Sequence, residues 1–324
     1  MLPQLKRLWY RGPARVRRNV YRATAWTGLP YLVSFLAGYG SLHAAANFAG
    51  NLPELKAAYR RSSGKERDRL GRRINAVANA LVLPNGVRRT TYPDRHNDIL
   101  ATILDDERCR IDKSAVRVLD IPSANGVASL GSFDALSQRY RVSRYVLGDL
   151  LTRTFHDQDR DCIFDDSHNL LQIRRGRRFF SLYRAHKSGK PFGRVARIVL
   201  FPLEIVSWWL KRRFPFPAEA NLTPIRMVHP DIEARLGEGV FELETMNVFT
   251  SIRGEYDVIL SFNLLQRNYF PAELIARGTE NLGRALAEGG LLVLGSPDTG
   301  GVSPYIVLRK CGTKLVVIKK HGEF

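Results

Sequence analysis

The chain has 324 residues, of which 50 are lysine or arginine and 31 are aspartate or glutamate, giving a formal net charge of +19. Its apolar share of 44% is that of a globular protein, and the length suits one large domain with additions or two domains. The three cysteines show neither metal-ligand spacing nor a disulfide pattern, so they indicate a reducing compartment and exclude a disulfide scaffold.

The positive charge is concentrated in two segments of the chain. Residues 1–100 hold 18 basic and 5 acidic side chains, and residues 150–224 hold 14 and 7. The remainder is close to neutral, with 18 basic and 19 acidic side chains. Local excess charge of one sign attracts partners of the opposite sign. We therefore predict a surface for an anionic partner, either a membrane or a nucleic acid, added to a neutral core.

Residues 1–96 are predicted to form a basic helical extension. Basic and aromatic side chains are interleaved through residues 1–25, whereas residues 28–50 contain no charged side chain. That uncharged run is long enough to span a bilayer, which takes roughly 20 apolar residues. Its proline, glycines and polar side chains nevertheless favour a buried or interfacial pair of helices. Helical spacing then predicts one helix from Glu54 to Leu83, which a Pro-Asn-Gly turn ends.

An apolar strand from Val116 to Ile121 is the element around which the predicted site is built. A short helix from Asn97 to Cys109 precedes it, Asp120 lies at its end, and a turn of small residues leads into a helix that begins at Val127. The unpaired backbone N–H groups of that helix start make a cradle for a polar ligand. The turn is not a dehydrogenase fingerprint, because only Gly126 is available for close backbone approach.

The second predicted strand, Arg144 to Asp149, also ends in an acidic residue. Asp149 follows Gly126 by 23 residues. A Rossmann-like unit places an acid about 20 residues past its glycines, where the carboxylate accepts both ribose hydroxyls. The sequence therefore predicts a ribose-binding role for Asp149, with a solvated loop aspartate as the alternative.

Residues 150–224 are predicted to be a lid-like insertion. A hairpin joins Cys162–Phe164 to Leu170–Ile173, and a further strand runs from Phe179 to Tyr183. An apolar helix candidate follows from Phe192 to Phe214, with paired tryptophans and flanking cations. Its apolar stretch is too short to span a bilayer, so it lies either in the lipid headgroup layer or in the core of the insertion.

The run Asp157-Gln158-Asp159-Arg160-Asp161 has the spacing that opens a calcium loop. Such a loop needs glycine at its sixth position and glutamate at its twelfth, where this chain has Cys162 and His168. We therefore interpret the run as a solvated turn and predict no metal site.

The second half of the chain supplies the remaining strands of the predicted core. The core resumes at Ile225, a helix follows Pro230, and a helix from Pro271 to Leu286 separates the later strands. The strands themselves are predicted over Val240–Phe249, Tyr256–Asn263, Leu291–Gly295, Tyr305–Arg309 and Lys314–Lys319, the last two as a hairpin.

Three stretches in this order resemble the motifs of a known family. The strand and turn around Asp120 are similar to motif I of the Rossmann-like (class I) S-adenosylmethionine (SAM)-dependent methyltransferases, and Y-D-V-I-L-S-F-N at 256–263 with L-A-E-G-G-L-L-V-L-G at 286–295 resembles motifs IV to VI. The resemblance covers about 115–149 and 225–324. It implies an α/β fold, with a Rossmann-like seven-stranded, mostly parallel sheet that ends in an antiparallel hairpin. The helical extension would then be residues 1–96, the methyltransferase-like core 97–149 and 225–324, and the lid-like insertion after strand 2 residues 150–224.

The resemblance also implies roles for individual residues around SAM. Asp120, Ser123, Asn125 and Gly126 would hold its methionine end and Asp149 its ribose. Met246, Asn247 and Val248 would surround the adenine, and Asn263 would face the reacting methyl group. A hydroxyl acceptor also needs a base, for which His229 and His156 are candidates because both lie near the predicted hinges of the lid. Each of these side chains has an ordinary structural role as its alternative, especially the two asparagines.

The predicted function is a cytoplasmic SAM-dependent methyltransferase, held peripherally on the inner membrane by anionic lipid and acting on a small, lipid-linked or saccharide acceptor. An RNA methyltransferase is an alternative that the basic N-terminus supports. The base-methylating signature [ND]-P-P-Y is absent, however, because Leu264-Leu265-Gln266 follows Asn263. A non-catalytic binding module with the same fold is the third possibility. The sequence leaves the oligomeric state open.

Overall fold

The computed structural model describes residues 45–81, 92–176, 178–182, 205, 208–217, 222–267, 269–295 and 304–322. The basic segment 1–25, residues 28–44 of the uncharged run and most of the predicted apolar helix 192–214 lie outside these ranges. Within the described ranges, we find no helix with the length and apolar character needed to cross a bilayer.

The described helices and strands are numbered in chain order. The helices are α1 (Leu52–Arg61), α2 (Gly64–Ala80), α3 (Asn97–Leu104), α4 (Val127–Ser137), α5 (Pro230–Leu236) and α6 (Ala272–Ala285). The strands are β1 (Ala115–Asp120), β2 (Arg141–Asp149), β3 (Arg153–Asp157), β4 (Cys162–Phe164), β5 (Leu170–Arg175), β6 (Arg178–Ser181), β7 (Leu222–Arg226), β8 (Phe241–Thr245), β9 (Tyr256–Phe262), β10 (Leu286–Gly295), β11 (Tyr305–Cys311) and β12 (Lys314–His321). Short 3-10 turns occur at Ala45–Asn47, Ala49–Asn51 and Glu107–Cys109.

The chain divides into two compact units. The first unit draws its described residues from 45–54, 79–81 and 154–225, and the second from 55–78, 92–153 and 226–322. Most of α1 and α2 therefore group with the core strands, although the sequence places both helices in a separate extension. The predicted boundaries at 96/97, 149/150 and 224/225 stay predictions.

The second unit is built on a seven-stranded sheet in the order β12-β11-β10-β9-β1-β2-β8. The neighbours from β8 through β10 pair in parallel, whereas β11 and β12 pair antiparallel. This arrangement confirms the predicted mostly parallel sheet with a C-terminal antiparallel hairpin.

Both faces of the sheet are covered, as the continuous apolar strands predict. Along β1, Val116 and Val118 pack into one core with the helix residue Ile99, while Leu119 packs into another with Leu282. All seven residues of β9 are buried. The strand order reverses at β1, which lies between β2 and β9, and open α/β sheets bind ligands beyond the carboxyl ends of the strands at such a point.

The predicted single helix from Glu54 to Leu83 is wrong in one respect, because it is two helices. The break falls at Ser62 and Ser63, where the Ser62 hydroxyl donates a hydrogen bond to the carbonyl of Tyr59. Gly64 then has φ +52°, a left-handed conformation that glycine adopts readily. A serine hydroxyl that bonds to the backbone competes with helix continuation, which explains the break.

The first unit contains a five-stranded sheet in the order β6-β5-β4-β3-β7. The predicted hairpin is present as β4 and β5, and β6 extends it antiparallel. Strand β7, which contains Ile225, belongs to this sheet. The aspartate run is bound to arginines, since Arg160 pairs with Asp157 and Arg174 with Asp161.

The described part of the apolar helix candidate presents two different faces. Residues 208–213 are helical, and Leu210 and Phe214 pack against the core of the five-stranded sheet. Trp208 and Trp209 are each 55% exposed, and the Arg212 guanidinium lies 4.2 Å from the centre of the Trp208 ring. One face of this helix therefore packs on the core of the five-stranded sheet, and the two tryptophan side chains are exposed to solvent on the other face.

Candidate functional site

The loop after β1 is held in its shape by backbone hydrogen bonds and by one glycine. The Ser123 amide donates to the carbonyl of Gly148 at 2.9 Å, which ties the loop to the end of β2. Ala124 and Gly126 both have left-handed backbones, with φ 54° and 78°. A Cβ atom at position 126 would lie 2.8 Å from Ile232 Cγ1 of the buried α5 face, so only glycine fits. The close contact at Gly126 is with the chain's own Ile232, and the predicted approach of a ligand to this backbone stays a prediction.

Asp120 is a buried carboxylate at the end of β1, with its side chain among other buried polar groups. The Tyr145 hydroxyl donates a hydrogen bond to Asp120 Oδ2 at 3.1 Å. Burial raises the pKa of Asp120 to about 6, and repulsion from the Asp149 carboxylate adds to the increase. The Ser123 hydroxyl nearby in the loop is buried and has no hydrogen-bond partner among the described residues. A cationic ligand with a hydrogen-bonding group would satisfy both side chains.

Asp149 connects the ends of β1 and β2. Its Oδ2 accepts a hydrogen bond from the Ala124 amide at 2.8 Å, and its Oδ1 accepts one from the Leu151 amide at 3.0 Å. A carboxylate has about four acceptor sites, so it is suited to accepting hydroxyl hydrogens as well as amides. Asp120 is the last residue of β1 and Asp149 the last of its parallel neighbour β2, so both lie at the carboxyl edge of the sheet.

The predicted adenine-binding residues follow β8 beside this edge. The Met246 amide donates to the carbonyl of Asp149 at 2.8 Å, and the Met246 sulfur packs close over Gly148. Val248 is buried, whereas Asn247 is exposed and its Oδ1 accepts a hydrogen bond from the Phe249 amide at 3.0 Å. A carbonyl oxygen has two lone pairs, so Asn247 can still accept a second donor such as an amino group.

Asn263 follows β9 and has a left-handed backbone with φ 63°, which is uncommon for a residue other than glycine. Its amide donates to the carbonyl of Gly295 at 2.8 Å, and Gln266 Nε2 donates to its Oδ1 at 3.4 Å. The neighbouring β10 approaches closely, because a Cβ at Gly295 would lie 2.3 Å from the Phe262 ring. Asn263 therefore stands at the carboxyl end of the strand next to β1, where the sequence places it.

His229 contributes to the same site as a brace for the loop. Its backbone amide donates to the carbonyl of Asn125 at 2.8 Å, and its Nδ1 accepts from the Asp231 amide at 3.4 Å as the cap of α5. The ring packs edge-on against Tyr59 at 5.1 Å, and burial lowers the pKa of His229 to about 4. These contacts favour a positioning role over the predicted base.

His156, the other predicted base, belongs to the first unit on β3. Its Nε2 lies 3.2 Å from Asp161 Oδ1, and its ring packs edge-on against Phe48 at 5.6 Å. Both contacts are internal to that unit. A role for His156 in the reaction stays a prediction.

Helix α2 covers the loop through a contact that sequence analysis missed. Asn125 Nδ2 donates to Asn75 Oδ1 at 2.7 Å, and both side chains are buried. Asn125 Oδ1 in turn accepts from the Val127 amide at 3.2 Å, so Asn75 orients the group that caps α4. The two asparagines are 50 residues apart, and no local pattern in the sequence connects them.

The hairpin of α1 and α2 is fixed to α5 by buried and half-buried ion pairs. Lys56 Nζ donates to Glu233 Oε1 at 2.5 Å and to the carbonyl of Arg226 at 2.7 Å. The Tyr59 hydroxyl donates to Asp231 Oδ2 at 2.7 Å. Lys56 is buried, and this burial lowers the pKa of its ammonium group. These contacts keep Asn75 over the loop.

Comparison with known proteins gives distant structural likenesses. No family model and no curated protein matches the chain. Among solved structures, it is similar to the [4+2]-cyclase SpnF at 11% identity and a TM-score of 0.28, with 64% of this chain and 48% of that chain covered. It is similar to an O-methyltransferase family protein from Burkholderia thailandensis at 12% identity and a TM-score of 0.29, over 70% and 41%. It is also similar to the CurJ carbon methyltransferase at 13% identity and a TM-score of 0.31, over 87% and 50%.

The chain thus spans half or less of the length of these three structures. They include both methyltransferases and a cyclase. We therefore argue the function from the geometry of the site itself.

Proposed function

We propose that the chain is a SAM-dependent methyltransferase that acts on a small, lipid-linked or saccharide acceptor. The observation that carries the proposal is the pair of buried carboxylates, Asp120 and Asp149, at the carboxyl edge of the sheet where the strand order reverses. A ligand that combines a cationic amino-acid end with a ribose matches this pair, because the first carboxylate attracts positive charge and the second accepts hydroxyl hydrogens.

The residues present fit such a ligand by three further observations. The buried Ser123 hydroxyl offers a donor and acceptor that no described residue uses. Gly126 lets the loop keep its left-handed turn against Ile232, where a Cβ would collide. Asp120 is disfavoured as an anion in its buried surroundings, so a bound ammonium or sulfonium would relieve the repulsion and the desolvation together.

When bound, SAM would supply a methyl group already activated by its sulfonium. The residues of this chain would then align the methyl group with the acceptor and exclude water. Asp120 and the Ser123–Gly126 loop would orient the amino-acid end, and Asp149 would fix the ribose. Met246 and Val248 would enclose the adenine. Asn263 lies at the end of β9, where it would border the acceptor.

Isothermal titration with SAM and with its demethylated product, S-adenosylhomocysteine, tests the proposal. We expect both to bind the wild-type chain and to lose at least about tenfold in affinity in Asp120→Ala, because a hydrogen bond to a charged group contributes about 1.5–3 kcal/mol. Asp134→Ala is the matched control, since Asp134 lies exposed on the neighbouring α4. Absence of binding by the wild type would refute the proposal.

We further propose that the basic insertion holds the enzyme at an anionic membrane surface. The exposed tryptophans Trp208 and Trp209, with Arg212 beside the first, suit the headgroup layer, where amphipathic rings and cations are favoured. In liposome flotation with anionic lipid, we expect the wild-type chain to float and the Trp208→Ala/Trp209→Ala variant to remain largely at the bottom. The control is Val316→Ala/Val317→Ala, which changes exposed apolar residues of β12. If the wild type and both variants float equally, the tryptophans do not hold the protein at the membrane, and this proposal is wrong.

A further inference from the structure

A group of aromatic and basic side chains lies at the carboxyl end of β9, and the proposed cofactor contacts do not include it. We call it the Arg95–His96 cluster; its members are Tyr92, Arg95, His96, Phe262 and Tyr269. The His96 ring stacks on the Phe262 ring, with centres 3.9 Å apart and planes 12° from parallel. On another side Phe262 is in close contact with Gly295 of β10. The imidazole is thereby held against the end of the sheet.

His96 is a neutral imidazole in this position. It is 9% exposed, and burial together with the charge of Arg95 lowers its pKa to about 3. His96 stands at the N-terminus of α3, and its side chain makes no capping hydrogen bond to that helix. A neutral imidazole has one nitrogen with a lone pair, which can accept a hydrogen bond from a hydroxyl.

Arg95 brings a positive charge to the same place. Its guanidinium lies 5.3 Å from the centre of the Tyr92 ring, and Tyr92 and Tyr269 partly offset the fall in its pKa. Burial lowers the pKa of Arg95, so the charge is partly withdrawn from water. Charges attract more strongly in such surroundings than in water, and a guanidinium matches the geometry of a carboxylate or phosphate.

The cluster lies beside the edge where the methyl group would be presented. Leu260 of β9 pairs with Asp120 of β1, and Phe262 is two residues further along β9. Two residues of strand correspond to roughly 7 Å, so the stacked rings lie just beyond the level of Asp120. Asn263, the next residue, is the one that the sequence assigns to the reacting methyl.

We propose that the Arg95–His96 cluster is the acceptor subsite and that it selects acceptors carrying both an acidic group, carboxylate or phosphate, and a hydroxyl. Arg95 binds the anion, and a ring nitrogen of the neutral His96 accepts a hydrogen bond from the hydroxyl, which orients the acceptor oxygen. This inference rests on the proposed function. In the transfer, the acceptor oxygen forms a bond to the methyl carbon, the carbon–sulfur bond breaks with its electron pair passing to sulfur, and the hydroxyl proton leaves to water.

Binding of matched small probes tests the subsite without any knowledge of the natural acceptor. The probes are 4-hydroxybenzoate against neutral 4-hydroxybenzamide, and glycerol 3-phosphate against glycerol, each titrated into the wild-type chain in the presence of S-adenosylhomocysteine. We expect the anionic member of at least one pair to bind about tenfold more tightly or better, because charge-assisted hydrogen bonds are the stronger ones. The pair that shows this preference distinguishes a carboxylate from a phosphate acceptor.

Two variants separate the cluster from non-specific attraction. Arg95→Met should remove the preference for the anion, whereas Arg110→Met, which changes an exposed arginine paired with Glu107, should leave it unchanged. In proton NMR, the imidazole signal that is missing in His96→Gln should shift when the preferred probe is added to the wild type.

Two results would overturn the inference: equal affinity for charged and neutral probes, or an unchanged preference in a folded Arg95→Met protein. The titration of S-adenosylhomocysteine alone keeps the two proposals apart. If that ligand binds normally but neither anion is preferred, only the acceptor subsite is wrong. If it does not bind to the wild type, the proposed function fails and the acceptor role fails with it.

Discussion

Asp120→Asn is expected to stabilise the fold at pH 7 and to weaken SAM binding in the same protein. Burial raises the pKa of Asp120 to about 6, so the folded state holds this proton more tightly than the unfolded chain does. Its contribution to stability is therefore fully present below about pH 4 and is lost as the pH rises through about 6. The difference of about two pKa units corresponds to about 2–3 kcal/mol. An asparagine at this position keeps an oxygen that can accept the hydrogen bond from Tyr145, and its amide group does not ionise.

Urea unfolding at pH 4 and at pH 7 measures the first half of this prediction. The wild type should lose about 2–3 kcal/mol of unfolding free energy from this group between the two pH values, and Asp120→Asn should not. Titration of S-adenosylhomocysteine at pH 7 measures the second half, where we expect a loss in affinity of at least about tenfold. Asp134→Asn is the control for both. If Asp120→Asn is less stable than the wild type at pH 7 and its stability depends on pH in the same way, then the buried carboxylate of Asp120 does not destabilise the fold when it ionises. That result would contradict the prediction.

The opposite signs matter because they separate a binding residue from a structural one. A purely structural aspartate would destabilise the fold when replaced, and any loss of ligand binding would follow from that. Functional sites commonly hold polar groups in surroundings that disfavour their charged form until the ligand arrives. Asp120 fits this description, and its neighbour Ser123 adds a buried hydroxyl without a described partner.

The parts of the molecule that could be predicted from sequence are those that a local pattern determines. Continuous apolar runs predict buried parallel strands, and the polar residues that follow them must meet at one edge of the sheet. That argument is sufficient to place Asp120, Asp149 and Asn263 together. The low glycine content of the turn is also explained, because Ala124 adopts φ 54° with its own side chain and only position 126 excludes a Cβ.

The parts that could not be predicted depend on contacts between residues far apart in the chain. Asn75 reaches Asn125 from a helix that the sequence assigns to an extension, and the hydrogen bond is visible only after α1 and α2 have docked. His96 stacks on Phe262, which no spacing rule relates to it. The backbone of His229 bonds to the loop at Asn125 and its ring packs on Tyr59, contacts that its position near a predicted hinge does not reveal. In each case the tertiary packing, which periodicity does not encode, decides the role.

Glu233→Gln is expected to have the largest effect on stability among the changes outside the site, because it leaves Lys56 buried without its carboxylate. Lys56 is 5% exposed, and removing one partner of a buried ion pair costs about 3–5 kcal/mol. Glu233 also pairs with Arg60, but that arginine is exposed and adds little. Replacing both partners, in Lys56→Met/Glu233→Gln, should recover most of the loss, since an apolar side chain of similar length removes the unpaired charge.

Urea unfolding at pH 7 of the single variant, the double variant and the control Glu238→Gln tests this expectation. Glu238 forms an exposed ion pair with Arg235 just beyond the end of α5, so its replacement should change the unfolding free energy by less than about 1 kcal/mol. A double variant as unstable as Glu233→Gln would show that the pair does not act through buried charge. Lys56 and Glu233 fix the α1–α2 hairpin to α5, and Asn75 of α2 contacts the loop after β1. The single variant should therefore also bind S-adenosylhomocysteine more weakly. The double variant should regain that affinity along with its stability.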